Sequence, residues 1–354
     1  MIKKSKITAR VVAKDLGVSI STVGRAMADD PRISAATKAR VREAATRLRY
    51  VQSMPARVMR GASSNLVALV VPDISNDFYS TVAQSLSKCC ERQGYRLVLC
   101  ITGDSRDIEA NQIRELSGVK VAGIFIVPAA ETRAETASLL SGIPYVQLLR
   151  KSDKLNSAWF GIDDERCVRD SAAHLIALGH QRIAYLGVHD AISTGPSRRV
   201  GFWDAFAGAR VDAIEAVEKL GPPTVEFGIA AARQLFQSDV RPTAVVCGSA
   251  QIAVGLLEAV SEFGIRIPED LSIVGFGDSM LAKHWGPGLT TIRFPIDELA
   301  TSCCLSFLNY LATRASLPAS HSLITSSTLI VRGSTAPPPS RLSGGAMPAA
   351  SATH

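Results

Sequence analysis

No apolar run in the 354 residues approaches the ~18–20 that cross a bilayer. The opening MIKKSKITARVVAKD has basic residues but no apolar core like that of a secretory signal. Both absences point to a cytoplasmic protein without a membrane partner. The seven cysteines are odd in number and none falls in a CxxC pair, so neither a disulfide framework nor a zinc site is indicated. Their plain reading is buried thiols in a reducing compartment. Also missing are a GxGxxG after the first strand, GxxxxGK[ST], GxSxG and HExxH. His174 and His180 flank a helix end and read as structural groups. No catalytic residue, metal or cofactor is expected, and the chain reads as a non-enzyme.

What is present is an uneven charge. The chain carries a net +7, yet residues 1–60 alone hold 14 basic and 4 acidic side chains, so the remainder nets −3. At 47% hydrophobic residues the body has ample material for a core. A basic head on a near-neutral body implies a polyanion partner, and charge alone does not separate DNA from RNA or membrane.

The head itself narrows the choice. In TARVVAKDLGVSISTVGRA, residues 8–26, Thr8 can cap a first helix running to about Leu16, and Ser19 a second from Ile20 to about Ala28. Ala13, Gly17 and Val23 fall at offsets 0, 4 and 10. That spacing suits a helix-turn-helix: a small residue at the crossing, a turn glycine, and an apolar residue locking the second helix. A third helix, about 35–48, closes the bundle with Val41, Ala44, Ala45 and Leu48. A plain basic three-helix bundle is the alternative. As a helix-turn-helix, the second helix enters the major groove of double-stranded DNA. Ile20, Ser21 and Arg25 then face base edges. Thr8, Ser19, Thr22 and Arg32 are placed for phosphates, which set register rather than sequence. One such module buries little area, so useful affinity implies a homodimer on a two-fold symmetric operator.

Residues 53–61 fit a short helix, with Ser53 as cap, Pro55 in the first turn and Gly61 at the end. A flexible linker is the alternative. From residue 65, apolar strand candidates (66–71, 96–101, 123–127, 145–148, 183–187, 244–247 and 273–276) alternate with helical ones (79–93, 108–116, 165–178, 200–207, 229–236 and 252–263). This α/β order means parallel sheets covered by helices on both faces. More than 260 residues of such units exceed one comfortable core, so two lobes are expected.

These segments together resemble the LacI/GalR transcriptional regulators. The head from Thr8 to Val51 resembles their headpiece, except that Gly24 stands where the family usually has serine. VPDISNDFY, GIDDE, LGHQRIAYLG, RRVGF, IPEDLSIVGFGD and LTTIRFP extend the likeness through residue 332. The resemblance implies a headpiece at 1–52, a hinge helix and linker at 53–64, and a two-lobed core at 65–332 like the periplasmic sugar-binding proteins. The first lobe would take about 65–163 and 295–324, the second about 164–294 and 325–332. It implies Met59 as a minor-groove wedge, with Arg57 and Arg60 near phosphates. It also implies an effector cleft with Phe78, Tyr79, Leu149, Asp163, Arg198, Ser249, Gly277 and Asp278.

At that cleft the sequence departs from the sugar-binding members. Leu149, Ala250 and Gly277 stand where acidic side chains are usual, while Arg198 in RRVGF remains. Its planar donor fork suits a carboxylate or phosphate. A cleft made more positive by these losses, favouring a sugar acid or sugar phosphate, is therefore expected. A neutral sugar, a base or nucleoside, and no small ligand are the alternatives, as is an ion pair of Arg198 with Asp163 or Asp164. The Phe78–Leu86 helix side is a candidate dimer surface. Residues 333–354, rich in Ser, Ala, Pro and Gly, read as a disordered tail. The expected function is a repressor whose operator affinity follows the effector. The rivals are an architectural DNA-binding protein and a sugar-transport component.

Overall fold

The computed structural model describes residues 7–50, 64–207, 215–314, 317–319 and 321–339. Three helices form the head: α1 Ala9–Leu16, α2 Ile20–Met27 and α3 Ala35–Arg47. Gly17 ends α1 in the left-handed region at φ 66, where a side chain would be strained. The Ser19 and Ser34 hydroxyls accept the backbone N–H groups of Thr22 and Thr37 at 3.0 and 3.3 Å, capping α2 and α3. Thr8 precedes α1 but its side chain makes no cap bond. Val12, Val23, Ala26 and Val41 are fully buried where the three helices meet. Each buried valine contributes about 1.5–3 kcal/mol before entropy is charged against it. The expected hinge residues Arg57, Met59 and Arg60 lie outside the described residues.

The body holds two six-stranded sheets. The first contains β1 Leu66–Val71, β2 Arg96–Ile101, β3 Gly123–Ile126, β4 Tyr145–Leu148, β5 Trp159–Ile162 and β11 Ser322–Thr325, in the order β11-β5-β4-β3-β1-β2. Every pairing in it is parallel. The second contains β6 Arg182–Val188, β7 Glu215–Gly221, β8 Ala244–Cys247, β9 Ser272–Phe276, β10 Thr290–Arg293 and β12 Thr328–Ile330, in the order β12-β10-β9-β8-β6-β7. Only β12, antiparallel to β10, breaks its parallel run. Strands such as β1 (LVALVV) and β8 (AVVC) are apolar throughout because both faces are covered.

The first lobe carries α4 Asp77–Arg92, α5 Arg106–Gly118 and α6 Ala134–Leu140. The second carries α7 Asp164–Ala177, α8 Thr194–Ala207, α9 Val225–Gln237, α10 Ala250–Glu262 and α11 Met280–His284. The chain passes between sheets after β5 at Asp163, after β10 at Phe294, and between β11 and β12. The second passage returns it as α12, Ile296–Thr313, which packs on α4. Both sheets point the carboxyl ends of their parallel strands at the space between the lobes, where open α/β sheets bind ligands. Among the described residues, no helix is long and apolar enough to cross a membrane.

Two expectations are corrected. The Phe78–Leu86 side of α4 is not a free surface, because Val82 and Leu86 are fully buried in the core with Cys303 and Phe307 of α12. The tail is packed through Pro339 rather than unstructured from residue 333. Ser334 is fully buried; its hydroxyl donates to the Ile273 carbonyl at 2.7 Å and accepts the Thr290 N–H at 2.8 Å. Next to it, Nε2 of the buried His180 lies 2.9 Å from the Ala336 carbonyl, and Nδ1 lies 2.9 Å from the Thr243 hydroxyl. Small hydroxyl residues stitch this segment to β9 and β10, a role their composition conceals. Ser334→Ala leaves a buried N–H and C=O without their partner, and it is expected to cost about 1–3 kcal/mol. The urea midpoint of unfolding measures it, and an unchanged midpoint would contradict the stitching.

Candidate functional site

The head presents α2 as its free face. Ile20 is 43% exposed, and Ser21 and Arg25 are exposed beside it, while Val23 and Ala26 turn inward. Arg25 makes no ion pair among the described residues. The other predicted contacts differ in how free they are. Thr8 is exposed; Ser19 spends its hydroxyl on the cap and lies 2.7 Å from the Ser21 hydroxyl and 2.8 Å from that of Thr22. Arg32 is taken up by Asp30, with Nε 2.9 Å from Oδ1 and Nη2 2.7 Å from Oδ2. Those bonds hold the Asp30 carboxyl well below the ordinary carboxylate range. Its expected role at a phosphate is therefore weakened by a local partner that sequence spacing did not expose.

Between the lobes lies a cleft of about 900 Å³, within the size range of small-molecule sites. Its second-lobe floor is built around Arg198 on α8. Arg198 Nε donates to Asp164 Oδ1 at 2.7 Å, Nη1 donates to the Gly248 carbonyl at 2.7 Å, and the guanidinium lies 4.0 Å above the Phe276 ring. The pairing needs α8 to press against the start of α7. Gly201 permits this, since a Cβ there would sit 2.0 Å from the Glu165 carbonyl oxygen. Burial pushes the Asp164 carboxyl up, and the charge of Arg198 pulls it back.

The first-lobe wall carries a second pair of the same kind. Arg150, just beyond β4, donates from Nη1 to Asp104 Oδ1 at 2.6 Å and to the Pro128 carbonyl at 3.4 Å. Its side chain is 7% exposed. Asp104 follows β2, so two strand ends meet in this contact. At the rim, Asp278 accepts Arg293 Nε at 2.7 Å and Arg332 Nη2 at 2.6 Å. Burial works to raise the Asp278 carboxyl, but these two cations win and hold it below its ordinary value. Phe78, Phe294 and Phe276 form a chain of ring contacts at 5.6 and 4.8 Å, which carries an apolar strip across the second passage.

Of the predicted effector residues, the cleft brings together Phe78, Tyr79, Leu149, Arg198, Ser249, Gly277 and Asp278. Asp163 does not line it. Its carboxylate caps α7 by accepting the Arg166 N–H at 3.0 Å, and the next residue, Asp164, occupies the place expected for it. Ser249 spends its hydroxyl capping α10 on the Ile252 N–H at 3.2 Å. Leu149 is buried at φ 65 and Gly277 sits at φ 92, so neither offers a polar side chain. Arg150, Asp104 and Phe276 were not anticipated. The signal for them was their position just past strand ends.

The losses at Leu149, Ala250 and Gly277 do not leave the cleft dominated by cations. Asp73, Asp77, Asp104, Asp164, Asp278, Asp297 and Glu298 line it against Arg150, Arg198, Lys283 and Arg293. Carboxylates from helix first turns (Asp77, Asp164, Asp297 and Glu298) and from loops (Asp73, Asp104 and Asp278) offset those missing at Leu149, Ala250 and Gly277.

A helix-turn-helix joined to two parallel-sheet lobes around a small-molecule cleft defines a ligand-binding, DNA-binding type of protein. Residues 10–53 match the model of bacterial regulatory proteins, lacI family, and residues 172–335 that of a periplasmic binding protein-like domain. The transcriptional regulator DegA of Bacillus subtilis is 31% identical over 337 residues, covering 94% of this chain and 99% of that one. The Lac repressor dimer bound to operator and an anti-inducer superposes with a TM-score of 0.80 at 23% identity, over 94% of this chain and all of that one. A CelR–cellobiose complex gives 0.70 at 25% identity, over 93% and 99%. The chain belongs to the lacI family of bacterial regulatory proteins. It is a DNA-binding transcriptional regulator and, like its relatives, not an enzyme.

Proposed function

We propose that this regulator is a repressor, binding a two-fold symmetric operator as a homodimer, and that a small carbohydrate-like molecule in the cleft changes its operator affinity. Residues 1–52 act as the headpiece, 53–64 as the hinge and 65–332, with the segment packed behind them, as the core. Ile20, Ser21 and Arg25 read bases; Thr8, Ser19 and Thr22 approach phosphates; Arg57, Arg60 and Met59 keep the hinge roles implied by the family. The exposed face of α2 supports the base-reading set.

Arg25→Ala is expected to lower the preference for an operator selected from a randomised pool, over random duplex, by about 5–150-fold. Arg32→Ala is expected to leave that preference unchanged, because Asp30 already neutralises it. Fluorescence anisotropy on both duplexes at fixed salt measures each. Equal loss on the two duplexes for Arg25→Ala would remove it from the base-reading set.

The observation that carries the effector reading is the pair of buried Arg–Asp contacts, Arg150–Asp104 and Arg198–Asp164, one on each lobe of the cleft. Each is neutral as a unit and offers both donors and acceptors, and the Arg198 pair lies over the Phe276 ring. Hydroxyl groups, which donate and accept, match this without adding charge, so a neutral sugar fits best. The cellobiose complex of CelR is consistent with that class. A sugar acid or sugar phosphate is the second reading, favoured by the two buried guanidiniums, from which an entering anion would displace an aspartate. Calorimetry with cellobiose, cellobionate, glucose and glucose 6-phosphate separates them. Binding of a neutral member, weakened roughly 30-fold or more by Arg198→Ala, is expected. Tighter binding of the acid, falling steeply with salt, would move the assignment to an anionic effector. Unchanged affinity in Arg198→Ala would make it a purely structural residue.

A further inference from the structure

Four of the seven cysteines stand as two adjacent pairs, Cys89–Cys90 near the end of α4 and Cys303–Cys304 within α12. All four are buried, and the two helices pack against each other. Ser85 donates to Asp297 and Cys90 meets Cys304, so the contacts advance in the same direction along both helices, which therefore run parallel. Cys90 Sγ and Cys304 Sγ are 3.7 Å apart, in direct contact. Among the described residues, no group of three or more potential ligands is arranged to hold a metal ion, so the sulfurs are left to their own chemistry.

We propose that Cys90 and Cys304 form a redox-sensitive pair that a peroxide converts into a disulfide joining α4 to α12. Cys90 is taken as the nucleophile because it lies two residues from the end of α4, where an oxidant gains access first. The hydrogen bond the two thiols share holds the Cys90 thiol below its ordinary value and pushes Cys304 up. In the first step the Cys90 thiolate attacks one oxygen of hydrogen peroxide. The O–O bond breaks, hydroxide leaves, and Cys90 becomes a sulfenic acid. In the second, the Cys304 sulfur attacks the Cys90 sulfur, the S–O bond breaks, and the oxygen departs as water with the Cys304 proton. Two thiols and one peroxide give one disulfide and two waters. The bonded S–S distance is about 2.0 Å, so side-chain torsion and a small helix adjustment close the gap.

Peroxide is close to water in size, and Cys90 lies two residues from the end of α4, where helices open most readily. The cysteines outside these two helices are poor competitors. Burial pushes the Cys167 thiol up to about 12, and it also raises Cys100 and Cys247. A link at this point has a definite reach. Asp77 and Phe78 at the start of α4, and Ile296 and Asp297 at the start of α12, line the cleft. A disulfide restrains the two helices from sliding and so pins the first-lobe wall. In a reducing compartment such a link is transient, as a sensor requires.

The test is a thiol count on the full-length protein after exposure to hydrogen peroxide, followed by non-reducing peptide mapping. The expected result is a fall from seven titratable thiols to about five, with the α4 and α12 cysteine peptides joined and both effects reversed by dithiothreitol. Cys89→Ser and Cys303→Ser are expected to keep the link, and Cys90→Ser and Cys304→Ser to abolish it. Cys304→Ser is expected to stop at a sulfenic acid on Cys90 that dimedone captures. Seven thiols surviving, a link that needs Cys89 or Cys303, or thiol loss in Cys90→Ser at the wild-type rate would each overturn the proposal. If a serine variant fails to fold, the wild-type thiol count and the joined peptides still decide whether α4 and α12 become linked.

Discussion

A guanidinium that is only 12% exposed cannot be left without a counter-charge, and Arg198 sets this constraint at the floor of the cleft. Asp164 answers it from the first residue of α7, where the chain has just left the first lobe. Gly201 lets α8 approach that first turn, Gly248 turns a carbonyl toward the guanidinium, and Phe276 supplies a ring beneath it. The loops after β5, β8 and β9 and the start of α8 are thus organised around one side chain. Removing either ion would leave the other buried and unpaired, so the arrangement behaves as a unit.

The same principle recurs at the other passages between lobes. Arg293, at the end of β10, and Arg332, just past β12, converge on Asp278, whose side chain is 4% exposed. Each passage therefore carries a charged anchor on the second-lobe side, while Arg150 and Asp104 form the corresponding contact inside the first lobe. On the cleft floor and the first-lobe wall a ligand meets paired, oriented charges, Arg198 with Asp164 and Arg150 with Asp104. Its hydroxyls can share those hydrogen bonds without paying to separate the ions, which is the physical basis for preferring a neutral polyol.

Much of this was legible in the sequence, but unevenly. Ala13, Gly17 and Val23 announced the head because local spacing alone decides a helix-turn-helix. Apolar strands such as β1 and β8 declared themselves because parallel sheets bury both faces. β7 (EAVEKLG) did not, since an edge strand half open to solvent carries charges, and the buried Thr290 and Thr291 of β10 look polar until their hydroxyls find Arg332 and Gly277 carbonyls. At the cleft, Arg198, Phe78 and Tyr79 came with recognisable motifs. Arg150 and Asp104 lie 46 residues apart in separate loops, and only the sheet order brings them into contact. The charge expectation counted only the carboxylates missing from motifs and left out those the same motifs keep, Asp73, Asp77, Asp164 and Asp278, which the fold turns into the cleft.

The central claim is that cleft and headpiece are one coupled system. Linkage makes this testable without knowing which direction the response takes: a ligand that changes operator affinity must have its own affinity changed by operator, by the same factor. The direct measurement is calorimetry of the ligand with the free protein and with the operator complex, set beside operator binding with and without saturating ligand. The account predicts equal factors from the two routes, on the order of 5–150-fold. Operator affinity that is indifferent to a ligand bound in the cleft would contradict it.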